Sequence, residues 1–219
     1  MFRFRRFYDV LYQEKDLVTN IPSRIKLNKL MDTNFKDTEK DYLKLIEYFV
    51  KKYKVKKALE FGSSWGYFLY QLKLFNIESI GVEVSAKRRE FGVRKLNVRI
   101  EKTLEDVLKE KEKFDIIFSI HTLEHLSDIK GIFKSFYNLL NERGMLFLEV
   151  PMLHSRNEAE HFERMGIVHP LGFSKEFFLK NLTREGFKTE VYEGYRDLIH
   201  DFRKEGDSLV VIGIKHKEN

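Results

Sequence analysis

Apolar residues along this chain switch between two spacings. Over Asp37–Tyr53, Leu43, Ile46, Phe49 and Val50 recur at helical intervals, which predicts an amphipathic helix. Val55–Phe61 is a short apolar run of the kind that makes a buried strand, and Tyr67–Phe75 returns to a helix. The alternation continues with a strand at Ser79–Val84 and a helix at Ala86–Leu96, for which Ser85 is placed as N-cap. A short third strand is predicted at Val98–Lys102, followed by a charged helix around Glu105–Lys111. Phe114–Ile120, "FDIIFSI", is apolar on both faces, as a central parallel strand requires. Ile129–Leu140 places Ile129, Ile132, Phe133, Phe136, Tyr137 and Leu140 on one helical stripe, with Asp128 as the expected cap. Met145–Val150 is the fifth strand, closed by Pro151, and Ser174–Arg184 is a helix ended by Gly186. Phe187–Gly194 and Ser208–Lys215 read as strands separated by a segment too polar to be a crossover helix, so they are expected to pair antiparallel.

This order predicts an α/β fold: a doubly wound sheet of seven strands, mostly parallel, with a C-terminal antiparallel hairpin. A small N-terminal helical cap is expected over residues 1–36, with the core over 37–219. No Pro/Gly/Ser-rich linker interrupts the chain, so one domain spanning 1–219 is expected.

Composition narrows the function. The absence of cysteine excludes disulfides, thiolate metal sites and cysteine nucleophiles, and it agrees with a reducing, cytoplasmic setting. No apolar run reaches the length of a membrane span, and Met1–Tyr12 is too charged for a secretory signal. The formal net charge is +6, but residues 1–30 hold seven basic groups against three acidic ones, so most of the excess is local. A nucleic-acid partner is therefore not expected, since such proteins spread basic patches through the fold. "MFRFRRFY" at the start alternates aromatic and basic residues and is expected to act as a lid or packing segment.

The chemistry begins at "ALEFGSSWG". The acid Glu60 precedes a turn containing Gly62 and Gly66, and Glu83 follows twenty-one residues after Gly62 at the tip of the second strand. An acid at that tip can accept hydrogen bonds from both hydroxyls of a ribose. A dinucleotide fingerprint would read Gly-x-Gly-x-x-Gly, but Ser64 stands where its second glycine belongs. A carboxylate ahead of the turn repels a pyrophosphate and suits a cationic amine. S-adenosylmethionine carries an ammonium and a sulfonium and no phosphate.

On these residues the chain resembles the class I S-adenosylmethionine-dependent methyltransferases, which have a Rossmann-like fold. Further matches are "EKTLEDV", "FDIIFSIHTLEHL" and "GMLFLEVP", in the family's order and covering roughly Asp41 to Lys215. The resemblance implies S-adenosylmethionine as donor and S-adenosylhomocysteine as product. It implies that Glu60 and the backbone at Gly62, Ser63 and Ser64 hold the methionine end, while Gly66 lets the next helix pack closely. Glu83 takes the ribose, Val84 flanks the adenine, Thr103 and Leu104 border the base, and Ser119 and Ile120 close the floor beneath the sulfonium.

His121 and His125 flank Glu124 just past the fourth strand, where such folds place reactive groups. A histidine of near-neutral pKa there could take the acceptor's proton as the methyl moves. His169, in "HPLGFSKEFFLKNLTREGF", resembles an acceptor-side histidine of methyltransferases acting on sugars and small metabolites. His121, His125 and His169 are thus the candidate catalytic residues. His121, Glu124, His125 and a later histidine also make a reasonable N/O metal set, although a divalent metal is not expected. The expected reaction is methyl transfer to oxygen or nitrogen of a small acceptor, a sugar or sugar-derived metabolite among them. RNA or protein methylation, a nicotinamide oxidoreductase and a silent donor-binding partner protein remain open alternatives.

Overall fold

The computed structural model describes residues 20–152, 169–199, 202 and 208–216. The N-terminal "MFRFRRFY" segment, read as a lid or packing segment, lies outside the described residues. Among those described, seven strands lie in the order β3-β2-β1-β4-β5-β7-β6. Contacts divide the chain into two compact units, Met1–Glu110 and Lys111–Asn219.

The first unit opens with α1 (Arg24–Asp32), capped by the Ser23 side chain, which accepts from the Lys26 amide. Then come α2 (Leu43–Tyr53), β1 (Lys57–Phe61), α3 (Tyr67–Leu74) and β2 (Glu78–Val82). It closes with α4 (Ala86–Phe91), β3 (Arg99–Glu101) and α5 (Leu104–Lys109). β1, β2 and β3 are parallel, with Glu60 opposite Gly81 and Val82 opposite Glu101.

Several boundaries differ from those the pattern predicts. α2 starts at Leu43 rather than Asp37 because Asn34, Phe35 and Asp37 all adopt left-handed backbone, which no helix can contain. Asp41 bonds the amides of Asp37 and Leu43 instead, fixing a turn. Helix α4 keeps α geometry only to Phe91 and continues as a π turn over Gly92–Leu96. A Cβ on Gly92 would meet the Trp65 carbonyl oxygen at 2.8 Å, so this turn presses directly on the β1–α3 loop. Ser85 precedes α4 but its side chain makes no capping bond.

The second unit contains β4 (Phe114–Ile120), α6 (Ile132–Leu139), β5 (Leu140–Pro151), α7 (Lys175–Arg184), β6 (Phe187–Glu193) and β7 (Ser208–Lys215). β4 and β5 are parallel, whereas β7 runs antiparallel to both β5 and β6. β5 begins five residues before the predicted Met145, because Leu140 already pairs with Phe114 before a register shift. The polar Asn141–Gly144 stretch hid that start. α6 begins at Ile132 with Gly131 as N-cap, and Asp128 is not its cap; its carboxylate accepts from the Lys130 amide in the preceding turn. Ser174 does cap α7, accepting from the Phe177 amide at 3.2 Å.

Candidate functional site

In the first unit the β1–α3 turn is buried and fastened through its own backbone. The amides of Gly62 and Ser63 both donate to the Val82 carbonyl at 2.9 Å, which ties the loop to the end of β2. Gly62, Ser64 and Gly66 all have positive φ, at 88°, 49° and 83°. Glycine takes that region without penalty, whereas Ser64 is strained there.

Two carboxylates flank this loop. Glu60, 4% exposed, has an Oε2 atom with no hydrogen-bond partner. Burial, and after it the nearby Glu83 charge, push its pKa well above the usual carboxylate range. Glu83 is also raised, chiefly by burial, but the Ser85 amide at 2.8 Å, the Arg88 charge and the Ser64 amide oppose the rise. Arg89 donates to the Glu83 and Val84 carbonyls at 2.8 Å, anchoring the chain where it leaves β2. Thr103 caps α5, its hydroxyl accepting from the Asp106 amide, with Leu104 buried beside it and Glu105 exposed.

The Glu60 Oε2 atom, buried without a partner beside a loop of positive-φ residues, leaves an acceptor for a group that brings its own hydrogen-bond donors and whose positive charge would favour the ionised carboxylate. The ammonium end of S-adenosylmethionine is such a group, so the residues present fit this donor. Glu60, Gly62, Ser63 and Ser64 would hold the amino-acid end, with Glu83 at the ribose and Val84, Thr103 and Leu104 at the base.

The second unit carries the histidines. Ser119 and Ile120 end β4; Ser119 is buried, its Oγ without a hydrogen-bond partner, and Ile120 is half-buried. His121 follows with φ 47° and donates its amide to the Glu149 carbonyl at 2.9 Å. Its Nε2 lies 3.1 Å from Glu149 Oε1, and its Nδ1 lies 3.5 Å from Glu124 Oε1. The second Glu149 oxygen accepts from the Tyr195 hydroxyl at 2.5 Å.

Desolvation opposes charge on the His121 ring, but the bonds and charges of Glu124 and Glu149 outweigh it and raise its pKa to about 9. At neutral pH His121 is therefore an imidazolium, its Nε2 hydrogen-bonded to Glu149 and its Nδ1 in an ion-pair contact with Glu124. The expected role of proton acceptor does not suit it.

His125 and His169 meet instead, with ring centroids 4.7 Å apart. Ligand atoms of Glu124, His125 and His169 lie within 4.8 Å of one another, so these three could also hold a metal ion. His121 is not a member of that cluster. The Leu171 amide donates to the Glu124 carbonyl, bringing the His169 segment to the turn after β4.

Residues 35–185 match the family profile described as methyltransferase domain. The chain belongs to the class I S-adenosylmethionine-dependent methyltransferase family. The chain is 28% identical over 97 residues to ubiquinone biosynthesis O-methyltransferase of Pelagibacter ubique (strain HTCC1062). That match covers 42% of this chain and 40% of the relative, so the chain spans under half the length of the curated methyltransferase it matches. A methyltransferase from Clostridium acetobutylicum is similar in structure with a TM-score of 0.65 at 14% identity, covering 88% of this chain and 99% of that one. The plantazolicin methyltransferase BpumL in complex with S-adenosylhomocysteine gives a TM-score of 0.63 at 13% identity, covering 98% and 95%. At such identities the structural likeness carries the fold.

Sequence reasoning missed Glu149, which holds His121, and Tyr195, which holds Glu149. Glu149 left a signal, an acid inside the apolar strand "MLFLEV". Tyr195 left none, since it reaches Glu149 only through the antiparallel return of β6 and β7.

Proposed function

We propose that this methyltransferase acts on an oxygen or nitrogen of a small acceptor, with a sugar or sugar-derived metabolite as the leading class. The observation that carries the reading is the His125–His169 pair beside Glu124, at the turn that follows β4. Ligands of open α/β sheets bind beyond the carboxyl ends of the strands. When bound, S-adenosylmethionine supplies an electrophilic methyl group on its sulfonium. The chain's own task is to orient the acceptor in line and to remove its proton. Glu60, Glu83 and the Gly62–Ser64 backbone bind the donor; His125 or His169 takes the proton; His121 stays charged and orients Glu124. The similarity to an O-methyltransferase favours oxygen over nitrogen.

The test offers donor with a labelled methyl group to separate panels of hydroxylated metabolites, amines, RNA and protein. Transfer to a hydroxylated metabolite, with turnover insensitive to salt, is the expected outcome. Transfer to RNA alone, with steep salt dependence, would replace this reading.

A second reading is favoured by one observation: the buried Glu124 carboxylate meets His121 Nδ1 in an ion-pair contact at 3.5 Å but makes no hydrogen bond, and it lies beside His125 and His169. Under it Glu124, His125 and His169 would hold a divalent cation, which would supply a Lewis acid near the acceptor, and neither histidine would act as base. Cobalt(II) titration of the protein decides between the two. Visible absorption that Glu124→Gln abolishes supports the cation; a featureless titration leaves the histidines as base.

A further inference from the structure

Trp65 stands inside the donor loop, between Ser64 and Gly66, both in left-handed backbone. Its ring is completely buried, yet the indole N–H has no hydrogen-bond partner. An unmade bond on a buried donor costs free energy, so the contacts of the ring, not its polarity, account for its place. The ring packs on Phe35 at 6.0 Å, Tyr67 at 5.1 Å and Phe91 at 5.7 Å between centroids. Around it lie Leu27 and Leu30 of α1 and Leu96 of the π turn.

Phe35 is itself unusual. A bulky residue at φ 66° is sterically disfavoured, and it persists only where surrounding structure over-determines it. Here its amide donates to the Leu30 carbonyl at 2.7 Å, and its ring, fully buried, also packs on Tyr70.

The far end of the same segment is fastened to the helix that the donor loop launches. Gln71 of α3 is fully buried; its Nε2 donates to the Lys40 carbonyl at 2.8 Å, and its Oε1 accepts from the Tyr42 amide at 2.8 Å. Nε2 also bonds the carbonyl of Tyr67, the first residue of α3. The Thr33–Tyr42 segment is thus tied to the loop through Phe35 and to α3 through Gln71. The two bonds of the Gln71 side-chain amide to backbone are specific where apolar packing alone would let that end of the segment slide.

We propose that Phe35 and Gln71 are positioning residues for the donor, holding the Thr33–Tyr42 segment as a collar that preforms the Gly62–Gly66 loop. The inference rests on the reading of that loop as the donor cradle. Phe35 acts through Trp65, and Gln71 acts through Tyr67 and α3. A preformed loop spares the donor the entropy of ordering it, so loosening the collar appears as lost affinity.

The test measures S-adenosylhomocysteine binding by calorimetry on the full chain, for wild type, Phe35→Leu and Gln71→Leu, each well below its own Tm. Hydrogen exchange of the Gly62–Gly66 amides is followed on the same three proteins. Each variant is expected to raise Kd about tenfold and to speed loop exchange. A lowered Tm with Kd within about twofold of wild type and unchanged loop exchange would make both residues merely structural and overturn the proposal. If Phe35→Leu does not fold, Gln71→Leu carries the same comparison. Failure of the wild type to bind S-adenosylhomocysteine would refute the donor cradle instead, and the exchange data would still report whether the collar holds the loop.

Discussion

A Cβ placed on Gly66 would stand 2.7 Å from Cγ2 of Val98, closer than any real Cβ contact, with Ile100 Cδ1 a further neighbour at 3.2 Å. Gly66 also has φ 83°, where an L side chain is strained. The close approach lets α3 start directly at the end of the donor loop. Gly66→Ala is expected to destabilise the fold by about 2 kcal/mol, from the left-handed backbone and the crowding together. Urea unfolding measures it; an unchanged midpoint would mean that Val98 moves aside and the backbone relaxes.

Glu60 and Glu83 have different expected effects. Glu83→Ala is expected to abolish donor binding by calorimetry, and undiminished affinity would contradict its role at the ribose. For Glu60 the sign of the stability effect is opposite to that of binding. A carboxyl whose folded pKa is raised costs stability as pH climbs above its unfolded value near 4.5, because the folded chain retains a proton that the unfolded chain releases. Glu60→Gln removes that cost, so the donor-free protein is expected to melt higher at neutral pH. Donor affinity is expected to fall by roughly tenfold or more with the lost charge-assisted bond.

His125→Ala is expected to lower turnover by about a hundredfold while leaving donor affinity within about twofold. Single-turnover rates set beside calorimetry separate the two effects. Equal rates in variant and wild type would give His125 a packing role against His169.

The His121 ring predicts a pH effect on stability. Its pKa rises from 6.5 to about 9 on folding, so its contribution is fully present below pH 6.5 and disappears as pH rises through 9. The side chain is 41% exposed, so solvent screening reduces the contribution to about 1 kcal/mol. Comparing Tm at pH 6.5 and 9.5 in wild type and His121→Asn measures it. A pH dependence that survives in the variant would assign the effect to other groups.

Where burial alone dictated structure, the chain was readable one residue at a time. "FDIIFSI" became β4 with the bounds its apolar pattern implies, and β6 and β7 paired antiparallel as their polar connection required. Errors clustered where a distant contact overrides local pattern. The Asn141–Gly144 stretch reads as a turn, yet Leu140 is drawn into the sheet by Phe114. Helical spacing from Asp37 onward is real, but the left-handed run at Asn34–Asp37 delays the helix.

The site divides in the same way. Glu60, Gly62, Gly66 and Glu83 are legible because a tight turn and an acid at a strand end are local chemistry. The roles of the three histidines are not, since proton affinity depends on what folding brings near each ring. His121 sits between Glu149 and Glu124, while His169 joins His125 from across an intervening segment.

By itself the sequence determined the order of strands and helices, the glycine turn after β1 and its flanking acids, because hydrophobic period, glycine and charge act over a few residues. Only the tertiary structure decided that His121 is held charged, that Gln71 latches the segment before α2, and that Glu124 is buried against His121. Those outcomes depend on desolvation and on partners 28 to 46 positions apart along the chain, such as Glu149 for His121 and Tyr195 for Glu149, and no local pattern encodes them.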